Sequence, residues 1–350
     1  MEKIRLAVIF GGNSSEYPVS LHSVASVLRN LDKDKYELFL LPIDRDGVWY
    51  YYEGDIDTLE HDNWKEHPST KRALFSPSAK EGIYILNGST VQRIEVDCVL
   101  PILHGKNGED GTLQGLLELA MIPYVGCNHV SSAISMDKDY THIICEAAGI
   151  PMAPYLSLVN YETINYDRLI DEIDQKLQLP LFVKPANAGS SFGITKVDDY
   201  KYLQEAVQFA FKYDKKVIIE SGIDGFEVGC AVLGNQELMV GEIDEINTHN
   251  NFFDYDAKYE LENTQIFCPA RVDKVISNQV KEMAKEIFRI LGARGLARVD
   301  MFVTKHNEIY FNEINTIPGF TSASRYPSMM KAIGVTFPEL LDRLIALAME

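Results

Sequence analysis

An apolar segment that ends in two glycines and leads directly into a helix is the feature that most constrains this chain. Residues 4–10 are typical of a buried strand, residues 11–15 of a glycine-rich turn, and residues 16–31 have helical periodicity. A strand, a glycine turn and a helix in this order favour an α/β fold with an open parallel sheet. Apolar runs at 36–42 and 96–103 predict further strands, and ligands usually bind where such strands end.

The remainder of the chain predicts two further units. A length of 350 residues suits two or three domains. We place an N-terminal α/β substrate domain at 1–128, a central unit at 129–222 and a strand-rich C-terminal unit at 223–350. Residues 54–88 are polar and rich in turn residues, which predicts an irregular connection. Residues 247–263 are polar and aromatic without a clear period, and loops of that length are usually functional or disordered.

Charge and cysteine content narrow the class of protein. The chain has 51 acidic and 33 basic residues and a net charge of -18. Such a surface repels nucleic acid and anionic membranes, although solubility alone accounts for the charge equally well. An acidic enzyme can still bind ATP if lysines and a metal ion are gathered in one cleft. The five cysteines show no CxxC spacing, and no long apolar segment occurs, so we expect a reducing, cytoplasmic location without membrane contact.

A lysine at the end of a predicted strand and a nearby turn indicate a phosphate site. Burying the ammonium of Lys184 without an anionic partner would be costly, and phosphate is one such partner. The turn at 189–193 offers backbone N–H groups and serine hydroxyls that can hold a phosphate. Taken alone, Lys184 could extend its side chain to water, and the turn could simply join two strands of a hairpin. The turn does not have the sequence of a Walker A loop. Their proximity favours the phosphate site.

Two carboxylates and an amide on neighbouring predicted strands indicate a metal site. Glu313 and Asn315 are two residues apart, so period-two geometry puts them on one face, and an antiparallel neighbour can place Asp300 beside them. Such oxygen ligands suit Mg²⁺. Two adjacent carboxylates need a cation, which Arg298 or a metal can supply. The alternative is a solvated outer face of the sheet, which the apolar residues flanking these positions disfavour.

A glycine- and hydroxyl-rich turn, residues 316–325, follows the metal candidates directly. Exposed backbone N–H groups in this turn could bind a carboxylate or a developing oxyanion. An ordinary Pro–Gly turn is the competing interpretation.

Several motifs in order now carry a family resemblance. From residue 4 to the C-terminus the chain resembles the D-alanine–D-alanine ligases of the ATP-grasp superfamily. The matching motifs are 11–16 with 19–21, 104–111, 184–193, 254–259 and 312–324. The resemblance implies three subdomains, with the N-terminal open parallel sheet followed by two α+β subdomains that grip ATP. It also implies a homodimer and a lid at 247–263.

The resemblance assigns a role to each matching residue. ATP would be bound by Lys138, Lys184, Ser191, Glu220 and Glu227. Two Mg²⁺ ions, or Mn²⁺, would be held by Asp300, Glu313 and Asn315. The first D-alanine and the reacting carboxyl group would be served by Glu16, Ser190, Tyr259, Arg298 and the N–H of Gly319. The carboxylate of the second amino acid would be received by Lys258 and Ser324, and His104 would line the same cleft.

Arg325 departs from the usual family pattern, in which an apolar residue stands at this position. Arginine here resembles the D-alanine–D-serine ligases of vancomycin-resistance systems, most closely the G type. An apolar pocket cannot favour the serine hydroxyl, because burying it unpaired costs about 1–3 kcal/mol, whereas a guanidinium can donate to it. We therefore predict that the chain joins D-alanine to D-serine through an acyl phosphate, for peptidoglycan synthesis. The alternative is that Arg325 pairs with a surface carboxylate and never meets the substrate.

Three rival functions remain. One is an ordinary D-alanine–D-alanine ligase. Another is an ATP-grasp ligase with a peptide or biotinyl acceptor, which Glu16 and Lys258–Tyr259 disfavour. The third is a nucleotide-binding regulator without turnover, which has no need of the metal set that Asp300, Glu313 and Asn315 would form.

Overall fold

Four β-sheets and the helices packed on them form the part of the chain that the computed structural model describes, residues 2–189, 192–248 and 264–350. The strands are β1 Ile4–Gly11, β2 Tyr36–Ile43, β3 Tyr50–Tyr51, β4 Lys71–Phe75, β5 Ile83–Asn87, β6 Thr90–Ile94, β7 Cys98–Ile102, β8 Tyr155–Val159, β9 Leu181–Pro185, β10 Thr195–Val197, β11 Lys216–Ser221, β12 Gly225–Gly234, β13 Leu238–Thr248, β14 Thr264–Phe267, β15 Gly295–Thr304 and β16 Ile309–Asn315.

The helices lie between these strands and after the last of them. They are α1 Tyr17–Asn30, α2 Ile56–Glu60, α3 Thr112–Leu119, α4 His129–Met136, α5 Lys138–Ala147, α6 Tyr166–Lys176, α7 Leu203–Ala210, α8 Lys274–Ile290, α9 Arg325–Ala332 and α10 Phe337–Ala348, with short 3-10 turns at Trp64–Glu66 and Tyr200–Tyr202.

The first sheet is open and parallel, as the opening segment predicts. Its strand order is β2-β1-β7. The turn after β1 is fixed from helix α1, because the Ser20 hydroxyl donates to the Ile102 carbonyl and accepts from the Gly11 N–H at 2.7 Å. The carboxyl ends of β1 and β7 therefore open side by side towards the rest of the molecule.

A four-stranded antiparallel sheet, in the order β3-β4-β5-β6, occupies residues 50–94. The prediction of an irregular connection at 54–88 was therefore wrong. The strands are five residues long or shorter, and the two central ones bury only every second side chain, Ala73 and Phe75 on β4 and Ile83 and Ile85 on β5. With so few apolar residues per strand, polar and turn residues dominate the composition and hide the alternation.

The central sheet is antiparallel, in the order β10-β9-β11-β8. Helices α6 and α7 pack on one face through residues such as Ile173 and Val207. Lys184 lies opposite Ile218 in the register of β9 and β11, and its side chain is directed away from the buried Val183. The sheet thus presents Lys184 towards the C-terminal sheet.

The C-terminal sheet is antiparallel, in the order β14-β13-β12-β15-β16. Helix α8 covers one face, where its buried Val280 and Phe288 belong to the same core as Val228 and Val299 of the sheet. Side chains of alternate residues point to the opposite face. Helix α9 packs on part of that second face, and the remainder borders the cleft. Two antiparallel sheets, each with its own helices, agree with the predicted pair of α+β subdomains.

Candidate active site

One row of polar residues crosses the second face of the C-terminal sheet. Asp300 lies opposite Glu313 on β16, and Arg298 lies opposite Asn315. Directly opposed residues in an antiparallel sheet point to the same face. The two-residue spacing therefore brings these four side chains together.

Arg298 and Asp300 form a two-pronged ion pair within β15. Nε of Arg298 donates to Oδ1 of Asp300 at 2.8 Å and Nη2 donates to Oδ2 at 2.7 Å, while the Asn315 amide donates to Oδ2 at 2.9 Å. Burial alone would lower the pKa of Arg298, but the Asp300 carboxylate outweighs it and raises that pKa above its ordinary value. The guanidinium is therefore a permanent positive charge inside the cleft.

The chemistry of this donor set fits a divalent cation. Asp300 and Glu313 supply carboxylate oxygens on adjacent strands, and the Asn315 amide oxygen is available because its nitrogen faces Asp300. Hard cations such as Mg²⁺ prefer these oxygen ligands and complete their shell with water and phosphate oxygens. A cationic group already approaches from across the cleft, since Nζ of Lys138 lies 3.5 Å from the Glu313 carboxylate.

A cavity of about 260 Å³ lies between the central and C-terminal sheets. Five of the residues predicted to bind nucleotide or metal line it: Lys138, Lys184, Glu220, Glu227 and Glu313. They come from both sheets and from helix α5. A polar ligand in this cavity would meet the lysines of the central subdomain and carboxylates from both sheets, and a polyphosphate with its metal ions offers charges that suit both.

Within this cavity Lys184 and Glu220 bind one another. Nζ of Lys184 lies 2.5 Å from the Glu220 carboxylate, whose other oxygen is 3.6 Å from Nε2 of His142. Burial would raise the pKa of Glu220, yet the charge of Lys184 lowers it overall. Burial lowers the pKa of His142, so its ring is neutral near pH 7. If Lys184 bound a nucleotide phosphate, that contact would take the place of its ion pair with Glu220.

The opposite end of the cleft gathers Glu16 with two glycine-containing loops. A Cβ on Gly105 would lie 2.5 Å from the Glu16 carboxylate, and a Cβ on Gly189 would lie 2.9 Å from it. Both loops can approach this carboxylate because they lack side chains there. The N-terminal and central subdomains therefore meet around Glu16.

His104 and Glu109 join the N-terminal domain to the turn that follows β16. Nδ1 of His104 lies 2.9 Å from the Ile317 carbonyl, and the Ile317 N–H donates to Glu109 at 3.2 Å. Burial lowers the pKa of His104, so the ring is neutral and its Nδ1–H donates to this carbonyl. Burial raises the pKa of Glu109 to about 8, with the Glu16 charge as the second cause. These contacts fix the start of the predicted oxyanion turn.

The end of that turn is closed by Ser324. Its hydroxyl accepts from the Thr321 N–H at 3.0 Å, and a Cβ on Gly319 would lie 3.3 Å from it. Gly319 and Ser324 are thus neighbours at the head of helix α9.

Arg325 is the first residue of α9 and reaches back over the sheet. Nε and Nη2 donate to the two oxygens of Asp244 at 2.8 Å each, and Nη1 donates to Glu227 at 2.9 Å. Nη2 also lies 3.4 Å from Asp300. Although burial alone would lower its pKa, Asp244 and Asp300 raise the pKa of Arg325 well above the ordinary value. The guanidinium joins a predicted ribose contact to a predicted metal ligand.

Comparison with known proteins identifies the family. A model of the D-ala D-ala ligase N-terminus matches residues 5–127, and a model of the D-ala D-ala ligase C-terminus matches residues 144–346. The D-alanine–D-alanine ligase of Acetivibrio thermocellus is 43% identical over an alignment covering 100% of this chain and 96% of the relative. The chain belongs to the D-alanine–D-alanine ligase family.

Two further relatives are as similar to this ligase. The vancomycin C-type resistance protein VanC1 of Enterococcus gallinarum is 45% identical over 99% of this chain and 98% of the relative. The crystal structure of the VanG D-Ala:D-Ser ligase from Enterococcus faecalis matches with a TM-score of 0.91 and 46% identity, over 99% of this chain and 100% of that one. The chain is thus an ATP-grasp enzyme, an ATP-dependent ligase that forms a peptide bond. Family members use ATP and divalent metal ions.

Some predicted site residues of the ligase lie outside the described residues. They are Ser190, Ser191, Lys258 and Tyr259, together with most of the predicted lid at 247–263, of which β13 reaches Thr248. Within residues 2–189, 192–248 and 264–350, no helix has the length and apolar character needed to cross a bilayer.

Sequence reasoning missed several residues of the ligase's cleft. Asp244 pairs with Arg325, His142 approaches Glu220, and Glu109 binds the Ile317 turn. For Asp244 the sequence gives only an ambiguous signal, because charged residues stand at 242, 244 and 245 on β13. A register shift pairs Glu242 with Lys281 of helix α8 at 2.8 Å, whereas Asp244 faces the site. For His142 and Glu109 the sequence gives no comparable signal, because their partners Glu220 and Ile317 lie far along the chain.

Proposed function

We propose that this ligase joins D-alanine to D-serine, with ATP converting the first D-alanine to an acyl phosphate. The observation that carries the proposal is the buried guanidinium of Arg325, whose side chain is 10% exposed and follows directly on Ser324 at the head of α9. A fixed charged donor at this place suits an acceptor with a hydroxyl group better than one with a methyl group.

The ion pairs of Arg325 leave it able to serve a substrate. Among the described residues its hydrogen bonds go to Asp244 and Glu227, and a guanidinium has more N–H donors than these bonds use. The carboxylates also hold the group in one orientation. Pre-orientation reduces the entropy lost when a donor binds a ligand, which strengthens discrimination. The relatives VanC1 and VanG, the latter a D-Ala:D-Ser ligase, support this interpretation.

In the first step we expect a carboxylate oxygen of D-alanine to attack the γ-phosphorus, forming the acyl phosphate and releasing ADP. Glu16 would hold the ammonium of this D-alanine, with Ser190 and Tyr259. Lys138 and Lys184 would hold the phosphates and spread the charge of the transferring group. Asp300, Glu313 and Asn315 would hold two Mg²⁺ ions, which supply further neutralisation of phosphate charge. Glu227 and Glu220 would bind the ribose and adenine, and Ser191 a phosphate.

In the second step the neutral amine of D-serine attacks the acyl carbon, the carbon–oxygen bond to phosphate breaks, and the amine gives up a proton. Arg298 and the N–H of Gly319 would stabilise the oxyanion. Lys258 and Ser324 would receive the carboxylate of the acceptor, and His104 would line the same cleft. The segment 247–263 would act as a lid that excludes water from the acyl phosphate. We further propose that the protein is a cytoplasmic homodimer. We also propose that its three subdomains meet after residues 128 and 222.

The test offers D-alanine, D-serine and D-lactate together and identifies the products. We expect D-alanyl-D-serine to dominate. Arg325→Leu should lower the D-serine to D-alanine ratio of kcat/KM by about tenfold, the value of one charge-assisted hydrogen bond. The ratio should be measured at saturating ATP, because Arg325 also contacts the proposed ribose ligand Glu227.

Arg271→Leu is the matched control. Arg271 pairs with Glu245, the neighbour of Asp244 on β13, but its side chain is 52% exposed. Because neighbouring residues on a strand face opposite sides, this change should leave the acceptor ratio unaltered. A wild-type preference for D-alanine, or a ratio that Arg325→Leu does not move, would make the protein an ordinary D-alanine–D-alanine ligase.

A further inference from the structure

A glycine interrupts the row of side chains that crosses the second face of the C-terminal sheet. Gly229 on β12 lies opposite Asp300 on β15 and opposite Asp244 on β13. All three positions therefore share one face. Two carboxylates flank a position that has no side chain.

The backbone does not require glycine at this position. Gly229 lies inside the ten-residue strand β12, and its φ is outside the left-handed region. Glycine in a strand interior costs stability through its conformational entropy, and it often marks the close approach of another group. The reason for this glycine must then be the space above it.

That space is filled by the Arg325 ion pair. A Cβ on Gly229 would lie 2.6 Å from Oδ1 of Asp244 and 2.9 Å from Cε of Met329, and closer still to Nη2 of Arg325. The N–H of Gly229 also donates to Oδ1 of Asp244 at 2.9 Å. Gly229 thus orients the carboxylate with its backbone and leaves room for the guanidinium that the carboxylate binds.

We propose that Gly229 is a specificity-determining residue of this ligase, because its missing side chain seats the Arg325 guanidinium between Asp244 and Asp300. The part of this inference that concerns D-serine rests on the proposed function. The claim that Gly229 leaves room for the Arg325 guanidinium rests on the geometry alone. The three nearest atoms that a methyl group would meet are all ends of side chains, so Gly229→Ala should fold and displace the guanidinium.

The first experiment measures acceptor selectivity at saturating ATP. Gly229→Ala should lower the D-serine to D-alanine ratio of kcat/KM by about tenfold, as loss of one charge-assisted hydrogen bond does. In the Arg325→Leu background the same change should leave the ratio nearly constant, because no guanidinium remains to be displaced. An unchanged ratio in the first case, or an equal fall in both, overturns the role in specificity.

The second experiment needs no activity and separates this inference from the proposed function. Thermal unfolding should show that Gly229→Ala lowers the Tm of the wild type more than it lowers the Tm of Arg325→Leu. Equal losses in the two backgrounds overturn the claim about space, whichever acceptor the wild type prefers. A wild type that prefers D-alanine, combined with unequal losses, overturns the proposed function and the role in specificity but leaves the claim about space standing.

Two control variants test the general effect of a Gly→Ala change on folding and the role of Met329, the third side chain near Gly229. Gly115→Ala places a methyl group in open space on helix α3 and should not lower the Tm. Met329→Leu removes the Cε that a methyl on residue 229 would also meet, and it should not rescue Gly229→Ala. If Gly229→Ala fails to fold, the double variant with Arg325→Leu should still fold. Rescue by Met329→Leu instead, or failure of that double variant, overturns the proposal.

Discussion

Two arginine–carboxylate pairs lie on the same face of the C-terminal sheet, and they are built in different ways. Arg298 and Asp300 are two residues apart on one strand. Arg325 and Asp244 are 81 residues apart and join helix α9 to strand β13. Both arginines are held by two-pronged contacts with a carboxylate that is 1% exposed.

The difference concerns what each pair can reach. The first pair lies beside Glu313 and Asn315, among the groups proposed to hold metal and oxyanion. The second pair begins at the residue after Ser324 and extends to Glu227. Both residues of the first pair belong to strand β15, so a substitution in that pair also alters the sheet. The arginine of the second pair lies on a helix, so it can be replaced without disturbing the sheet. We therefore expect the first pair to serve chemistry common to the family and the second to set the choice of acceptor.

The largest expected effect comes from the groups beside the first pair. Glu313→Gln keeps the size of the side chain but removes a charge that would hold a metal ion against the phosphates. We expect kcat to fall by about a hundredfold or more with either acceptor, and the acceptor ratio to stay constant. Steady-state kinetics at saturating Mg²⁺ check this. Near-normal turnover would contradict the metal assignment, and a changed ratio would contradict the division of labour between the pairs.

An intermediate effect is expected from breaking the second pair. Asp244→Asn leaves the buried Arg325 with one charged partner fewer, which should lower the free energy of unfolding by on the order of 3 kcal/mol. The acceptor ratio should shift towards D-alanine by about tenfold, while kcat with D-alanine changes less than in Glu313→Gln. Urea unfolding and competition kinetics measure the two quantities. A loss of turnover equal for both acceptors would assign this pair to the common chemistry instead.

For each pH unit, the smallest effect on stability should come from a buried carboxyl group that is held by backbone N–H groups. Glu109 accepts from Gly105 at 2.6 Å and from Ile317 at 3.2 Å, and burial raises its pKa to about 8. The folded protein therefore keeps a proton that the unfolded chain, with an ordinary carboxyl pKa, releases at lower pH. The stability that this proton contributes is complete below the unfolded pKa and is lost as pH rises towards 8.

Glu109→Gln should therefore reduce the dependence of stability on pH. The wild type should lose up to about 1.4 kcal/mol more per pH unit than the variant between pH 5 and pH 8. Urea unfolding curves at several pH values measure both slopes. Parallel slopes would mean that Glu109 is ionised in the folded protein across this range. The two arginine pairs provide the contrast, because guanidinium groups do not titrate there.

Strand length explains what could be predicted about the sheets. The long strands β1, β12 and β15 carry enough apolar residues to be recognised, and so the open parallel sheet and the strand-rich C-terminal unit were predictable. The sheet at 50–94 was not, because its strands of two to five residues each bury two side chains at most. Its stability comes from packing of Tyr51 and Phe75 with the core that includes Ile9 and Val99 of the first sheet.

The sequence by itself determined the neighbourhood of Asp300, Glu313 and Asn315, because alternation along two consecutive strands joined by a short turn puts them on one face. It also identified Arg325 as unusual. Only the tertiary structure decided what Arg325 binds, since Asp244 and Glu227 reach it through the packing of helix α9 on the sheet. Register within a hairpin follows from local pattern, whereas contacts between distant elements depend on how whole faces pack, and no local pattern encodes that.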